Sequence, residues 1–179
     1  MDVNFEVGDA KSLPYPDAAF DVALSTVGVM FAPDQEKAAS ELLRVCRPGG
    51  KIGLASWTPD GFIGQMFRAI GRHVPPTSGI KSPPLWGTEE RLRELFGDEV
   101  SSLQAMRRSY IFRYPSAQYY VGYFRDYYGP TLKAFETLDA EGRDALERDL
   151  EELLESWNIS DDGTLIVPSE YLEVVTVRR

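Results

Sequence analysis

Two short apolar runs on either side of one amphipathic helix constrain this chain more than any other feature. Phe20 to Val27 (FDVALSTV) is nearly continuous in apolar residues, and so is Lys51 to Trp57 (KIGLASW). Runs of strand length without a strict polar alternation suit strands covered on both faces, as in a parallel sheet. Between them, Asp34 can cap a helix that runs through Arg47. Its apolar residues Ala38, Ala39, Leu42, Leu43 and Cys46 share one face, and Pro48-Gly49-Gly50 is expected to stop it. Strand, helix and strand in that order form a right-handed crossover unit, so the predicted class is α/β.

The flanking elements are less regular. Val3 to Val7 alternates and ends at Gly8-Asp9, which predicts a short first strand. Beyond Trp57, the turn Thr58-Pro59-Asp60-Gly61 leads into a helix over Phe62 to His73, and the Pro-rich stretch from Val74 to Pro84 reads as loop. Thr88 caps a short helix through Phe96, and Val100 to Tyr114 reads as a long strand. Aromatic residues recur at helical spacing from Ser116 to Tyr128, and Asp139 to Trp157 is an amphipathic helix with Leu146, Leu150, Leu153, Leu154 and Trp157 on one stripe. A final strand, expected to be split by Pro168, ends in YLEVVTVRR. The whole is read as a single domain over 1–179.

Charge narrows the partners. With 19 basic against 28 acidic residues the net charge is -9, which repels phosphate backbones and anionic bilayers; no nucleic-acid partner is expected. The longest stretch free of charged side chains is the 12 residues from Val22 to Pro33, too short for the ~20 of a spanning helix, so no membrane span is expected. One cysteine, Cys46, cannot form an intrachain disulfide, and the first residues carry no basic patch followed by an apolar run. A cytoplasmic location is the expectation.

In an α/β sheet, ligands gather at the carboxyl ends of parallel strands. Three such ends are readable: Gly8-Asp9-Ala10, Ser25 to Gly28, and Ser56-Trp57-Thr58. The Asp9 carboxylate can accept from an amino group such as that of adenine, and the next backbone N–H can serve a ring nitrogen. An Asp in that place is equally a turn former or a helix cap. No Gly-x-Gly occurs among the 15 glycines, and no phosphate-binding Gly-Lys loop or Gly-x-Ser-x-Gly elbow is present. One histidine and one cysteine leave only carboxylates for a metal, so none is expected, and His73 reads as a solvated helix-end residue.

Together, GDAKSLPYPDAAFDVALS and ELLRVCRPGGKIGLASW resemble the second half of the core of class I S-adenosylmethionine-dependent methyltransferases, especially the small-molecule group related to ubiquinone and menaquinone biosynthesis. The resemblance covers residues 3 to 59 and implies a Rossmann-like sheet with helical carboxyl-terminal additions, residues 60–179 lying on the substrate side. It implies S-adenosylmethionine as cofactor and a small-molecule acceptor. Carried over, the adenine contacts are Asp9 and Ala10 with Leu13 nearby, and Ser25, Thr26 and Val27 lie by the methionine portion. Met30, Phe31, Trp57, Phe62 and Met66 are the acceptor-side candidates. The aromatic group from Tyr110 to Tyr128 reads first as core packing with phenol groups at the rim, with an acceptor pocket or a subunit interface as the alternatives.

The family also carries a glycine-rich loop and a ribose-binding acidic residue upstream of Gly-Asp-Ala. Only seven residues precede Gly8 here, whereas two crossover units need on the order of 60. The sequence is therefore expected to be the carboxyl-terminal part of a methyltransferase, its sheet amino-terminally incomplete. The alternative is a shortened, non-catalytic relative that forms a homo-oligomer or pairs with a partner subunit through the exposed sheet edge.

Overall fold

The computed structural model describes residues 3–179. Four strands form one sheet in the order β1-β2-β4-β3, with β1 at Phe20–Thr26, β2 at Cys46–Trp57, β3 at Val100–Tyr114 and β4 at Leu165–Arg178. β1 runs parallel to β2, joined through α1 (Gln35–Val45), which is the crossover unit expected from the sequence. β3 and β4 run antiparallel, since the Arg179 amide at one end of β4 donates to the Glu99 carbonyl just before β3.

The chain divides into two compact units. Among the described residues, the first comprises 3–56, 80–107 and 172–179; the second comprises 57–79 and 108–171. In the first, α1 packs with α3 (Glu89–Phe96). Asp34 and Thr88 cap these helices by accepting from the Lys37 and Arg91 amides at 2.9 and 3.2 Å. In the second, α2 (Phe62–His73), α4 (Ala117–Tyr127), α5 (Gly129–Thr137) and α6 (Ala140–Trp157) enclose a core centred on Phe62, Tyr120, Leu146 and Leu154. Phe124 stacks on Tyr120 with ring centroids 3.9 Å apart.

Four expectations change. Residues 3–8 form no strand, and Phe5 and Val7 are 95% and 99% exposed. Alternation supplies a face but not a neighbour, and an extended segment becomes a strand only where its backbone groups find a partner. Second, Pro48-Gly49-Gly50 does not separate helix from strand: α1 ends at Val45 and β2 starts at Cys46. The register then jumps from Phe20 opposite Cys46 to Val22 opposite Lys51, so the motif is a bulge within β2. Gly49 takes φ +74°, and a Cβ on Gly50 would meet Cys46 Sγ at 2.7 Å and the Asp21 carbonyl at 2.9 Å.

Third, β4 runs unbroken through Pro168. The Glu170 carbonyl accepts from the Thr58 amide, just past the end of β2. Residue 168 points its backbone the same way as residue 170, two positions on, but lies beyond β2, so its missing N–H removes no ladder bond. Fourth, α5 fills a stretch left without assignment; Pro130 in its first turn is the signal that marks it.

Candidate functional site

The carboxyl end of β1 is strained. Val27 follows the strand with φ +53°, a conformation disfavoured for a β-branched residue, while its amide donates to the Ala55 carbonyl of β2 at 2.8 Å. Ser25 Oγ accepts from the Val29 amide at 2.9 Å and so closes the turn into the short helical segment Val29–Phe31. Retaining a strained residue at a parallel strand end is a common property of ligand sites.

Beside the strand lies an open groove of about 350 Å³. Its wall includes Ala10, Leu13 and Tyr15 from the loop before β1, Ser25 and Val29 from the strand end, and Leu42 and Val45 from α1. The wall is apolar apart from Ser25 and the Tyr15 phenol. Three of the six residues singled out for the cofactor, Ala10, Leu13 and Ser25, thus meet on one surface. Asp9, Thr26 and Val27 are not part of the wall. Asp9 is exposed and forms a tight turn, with one carboxylate oxygen accepting from the Lys11 amide at 2.9 Å and the other 3.5 Å from Lys11 Nζ.

The loop that supplies Ala10 and Leu13 is anchored from α1. Glu41, only 4% exposed, accepts from the Leu13 amide at 2.7 Å. Arg44 grips the same carboxylate with Nε and Nη2, both at 2.8 Å. The hydrogen bond from Arg44, ahead of that from the Leu13 amide, holds the Glu41 carboxyl down at about 2. The sequence reading missed these two residues, although Glu41 and Arg44 stand at the i, i+3 spacing of a helical ion pair. Ser56 belongs to the third strand end named from the sequence. The Ser56 hydroxyl is buried near the carboxyl end of β2 with no hydrogen-bond partner among the described residues.

The acceptor-side candidates fall into separate groups. In the first unit Met30 is buried at 1% exposure and Phe31 is half-buried. In the second, Trp57 and Phe62 flank the Phe112 ring at 5.8 and 6.3 Å, with Phe62 fully buried and Trp57 half-buried. Tyr120 and Phe124 are core, whereas Tyr110, Tyr119, Tyr123 and Tyr127 are exposed. His73 is not a solvated helix end: its Nε2 lies 2.9 Å from Asp149 Oδ2 of α6, and its side chain is 17% exposed. Among the described residues no cluster of His, Cys, Asp and Glu could hold a metal, and no helix is long and apolar enough to cross a membrane.

Residues 1–54 match the family described as methyltransferase domain. The whole chain overlays the YcgJ protein of Bacillus subtilis with a TM-score of 0.58 at 16% identity, covering 96% of this chain and 69% of that one. It overlays a SAM-dependent methyltransferase of Thermotoga maritima with a TM-score of 0.50 at 13% identity, covering 96% and 62%. The chain has the Rossmann-like fold of class I methyltransferases, and its first 54 residues carry the methyltransferase-domain match. The family match covers its Gly-Asp-Ala segment, β1, α1 and β2 as far as Leu54. An uncharacterized protein of Mycobacterium tuberculosis is 38% identical over 183 residues, which is all of this chain and 65% of the relative. A demethylmenaquinone methyltransferase of Deinococcus radiodurans is 38% identical over 81 residues, covering 44% of this chain and 34% of the relative. The chain therefore spans about two-thirds of the length of the first of these relatives and about a third of the second.

Proposed function

We propose that this chain serves S-adenosylmethionine-dependent methyl transfer to a small-molecule acceptor, as the carboxyl-terminal part of a methyltransferase, with the groove beside β1 receiving the adenine end of the cofactor. The observation that carries the reading is the meeting of Ala10, Leu13 and Ser25, from two separate segments, on one apolar groove at a strained strand end. The groove fits a flat base: Leu13 and Val29 offer apolar contact, and the exposed Asp9 carboxylate stands at the turn beside Ala10 to accept from the exocyclic amino group.

The cofactor, when bound, supplies a methyl group on a sulfonium that is already an activated leaving group. The part left to the chain is orientation, which can contribute ~7–11 kcal/mol to such a displacement. Ser25 fixes the turn after β1 through the Val29 amide, and Thr26 and Val27 stand on that turn where the methionine portion would pass. Each unit offers its own acceptor-side candidates: in the first, Phe31 keeps exposed surface beside the buried Met30, and in the second, Trp57 keeps exposed surface while Phe62 is buried. A general base is needed only for an acceptor hydroxyl or acidic carbon, so this assignment requires no histidine dyad. The Deinococcus relative is named a demethylmenaquinone methyltransferase, which supports a small-molecule acceptor over a macromolecular one. The proposed setting is the cytoplasm, without nucleic acid, in keeping with a net charge of -9.

Calorimetric titration with S-adenosylmethionine tests the reading. The expected result is weak binding that Asp9→Ala lowers by about tenfold, as for loss of one charge-assisted hydrogen bond. Affinity unaltered by Asp9→Ala removes that carboxylate from the site; affinity unaltered by Leu13→Asp removes the groove. No uptake, either by this chain or by one extended to the length of its relatives, refutes the function.

One observation favours a second reading, a non-catalytic role through self-association. β1 is an edge strand, and Val22 and Leu24 on it are 50% and 76% exposed. Sedimentation at several concentrations separates the two: a monomer that binds the cofactor supports transfer, and a dimer without affinity supports association.

A further inference from the structure

The Arg44 guanidinium uses all five of its N–H donors on this chain. Nε and Nη2 form the fork on Glu41, Nη2 also donates to the Leu13 carbonyl at 3.0 Å, and Nη1 donates to the Tyr15 carbonyl at 2.7 Å and to Asp17 Oδ1 at 2.9 Å. Glu41, bound in that fork, holds the Leu13 amide. Both directions of the backbone at Leu13 are thereby fixed from α1, the amide by the carboxylate and the carbonyl by the guanidinium. The Arg44 carbonyl in turn accepts from the Ala18 amide at 2.8 Å, where the loop ends in a residue at φ +55°. Leu13 and Tyr15, the two residues of 13–17 gripped by backbone, are also the two of that segment that stand in the groove wall.

We propose that Arg44 and Glu41 are positioning residues that hold loop 13–17 as a preformed wall of the groove, so that ligand binding need not order it. The proposal rests on the cofactor reading only for the identity of that ligand. The Tyr15 ring meets Phe20 with centroids 4.9 Å apart, but the backbone of 13–17 belongs to no helix or strand ladder, and ordering each residue costs roughly 1–2 kcal/mol of backbone entropy. A half-buried fork with two carbonyls and one amide attached removes that cost before the ligand arrives. Lysine cannot replace arginine in this role, because its three donors diverge from one point and cannot span the carboxylate and both carbonyls. Asp17, with its side chain 79% exposed, is the outer and dispensable contact.

The test compares Arg44→Lys, Glu41→Gln and Asp17→Asn by amide hydrogen exchange and by titration with S-adenosylhomocysteine. In Arg44→Lys, exchange at the Leu13 amide is expected to quicken by about tenfold or more, the loss of one charge-assisted hydrogen bond, while amides in β2 keep their native protection. Ligand affinity is expected to fall in parallel, and Asp17→Asn to leave both readouts near native. Glu41→Gln preserves the side chain's shape without its charge and gives the same comparison should Arg44→Lys fail to fold. Native Leu13 exchange in a folded variant overturns the proposal. So does a loosened loop with unchanged affinity, which makes the clamp structural only. If the native chain takes up no ligand, it is the cofactor reading that fails, and native or quickened Leu13 exchange alone decides the clamp.

Discussion

At the residue level the site is written in conformations and contacts that residue type alone does not announce. Val27 reads in the sequence as one more strand residue, yet the structure turns it to φ +53°. Strain of this kind costs about 1–3 kcal/mol, against ~0.5–1 kcal/mol for the added flexibility of glycine. Val27→Gly is therefore expected to leave the unfolding free energy within about 1 kcal/mol of native or to raise it, and a urea-unfolding loss above about 2 kcal/mol would show that side-chain packing outweighs strain. Glu41 makes a second prediction. Arg44 holds its carboxyl at about 2 against an ordinary 4.5, so the group favours the folded state fully above 4.5 and loses that contribution as the pH falls toward 2. Thermal melts across that window are expected to show a shallower pH slope in Glu41→Gln than in the native chain. Equal slopes would mean that the fork does not carry the linkage. Asp9 was legible as a strand-exit carboxylate. Its engagement with Lys11 was not, because a two-residue turn and a ligand contact ask for the same residue type.

At the level of elements, local signals were strong where caps and apolar stripes coincide. α2 occupies the predicted Phe62–His73, β3 the predicted Val100–Tyr114, and Asp139 caps α6 by accepting from the Gly142 amide. What local signals could not give was the environment of a residue already placed in an element. Gly64 looks like a weak point in a helix, but its Cβ position lies 2.2 Å from the Pro59 carbonyl oxygen and 2.5 Å from that of Thr58. Backbone cannot yield as a flexible side chain can. Gly64→Ala, which would gain about 1 kcal/mol from helix propensity, is expected instead to destabilise by roughly 1–3 kcal/mol, read from denaturant midpoints at constant m-value. A stabilised variant would contradict the close approach. Pro168 teaches the same lesson in reverse: a residue that breaks a strand by type is tolerated because β2 stops short of it.

At the scale of the whole molecule, β1 is an outer strand of the sheet formed by the described residues and presents exposed apolar side chains. Leu24 is 76% exposed, so Leu24→Lys removes little buried area and is expected to change stability by less than about 0.5 kcal/mol while lowering any self-association seen by sedimentation. A large stability loss would show that the face is covered in solution. By itself the sequence determined the class, the crossover unit and the helix caps, because these follow from periodicity, turn chemistry and a few neighbours along the chain. It also carried the likeness to methyltransferases, in motifs that lie within one stretch. Only the tertiary structure decided that residues 3–8 form no strand, that Pro-Gly-Gly is a bulge, and that Leu13 is held by a fork 28 and 31 positions away. Pairing, strain and the grip of one side chain on a distant backbone depend on which segments become neighbours, and that is settled only when the chain has folded.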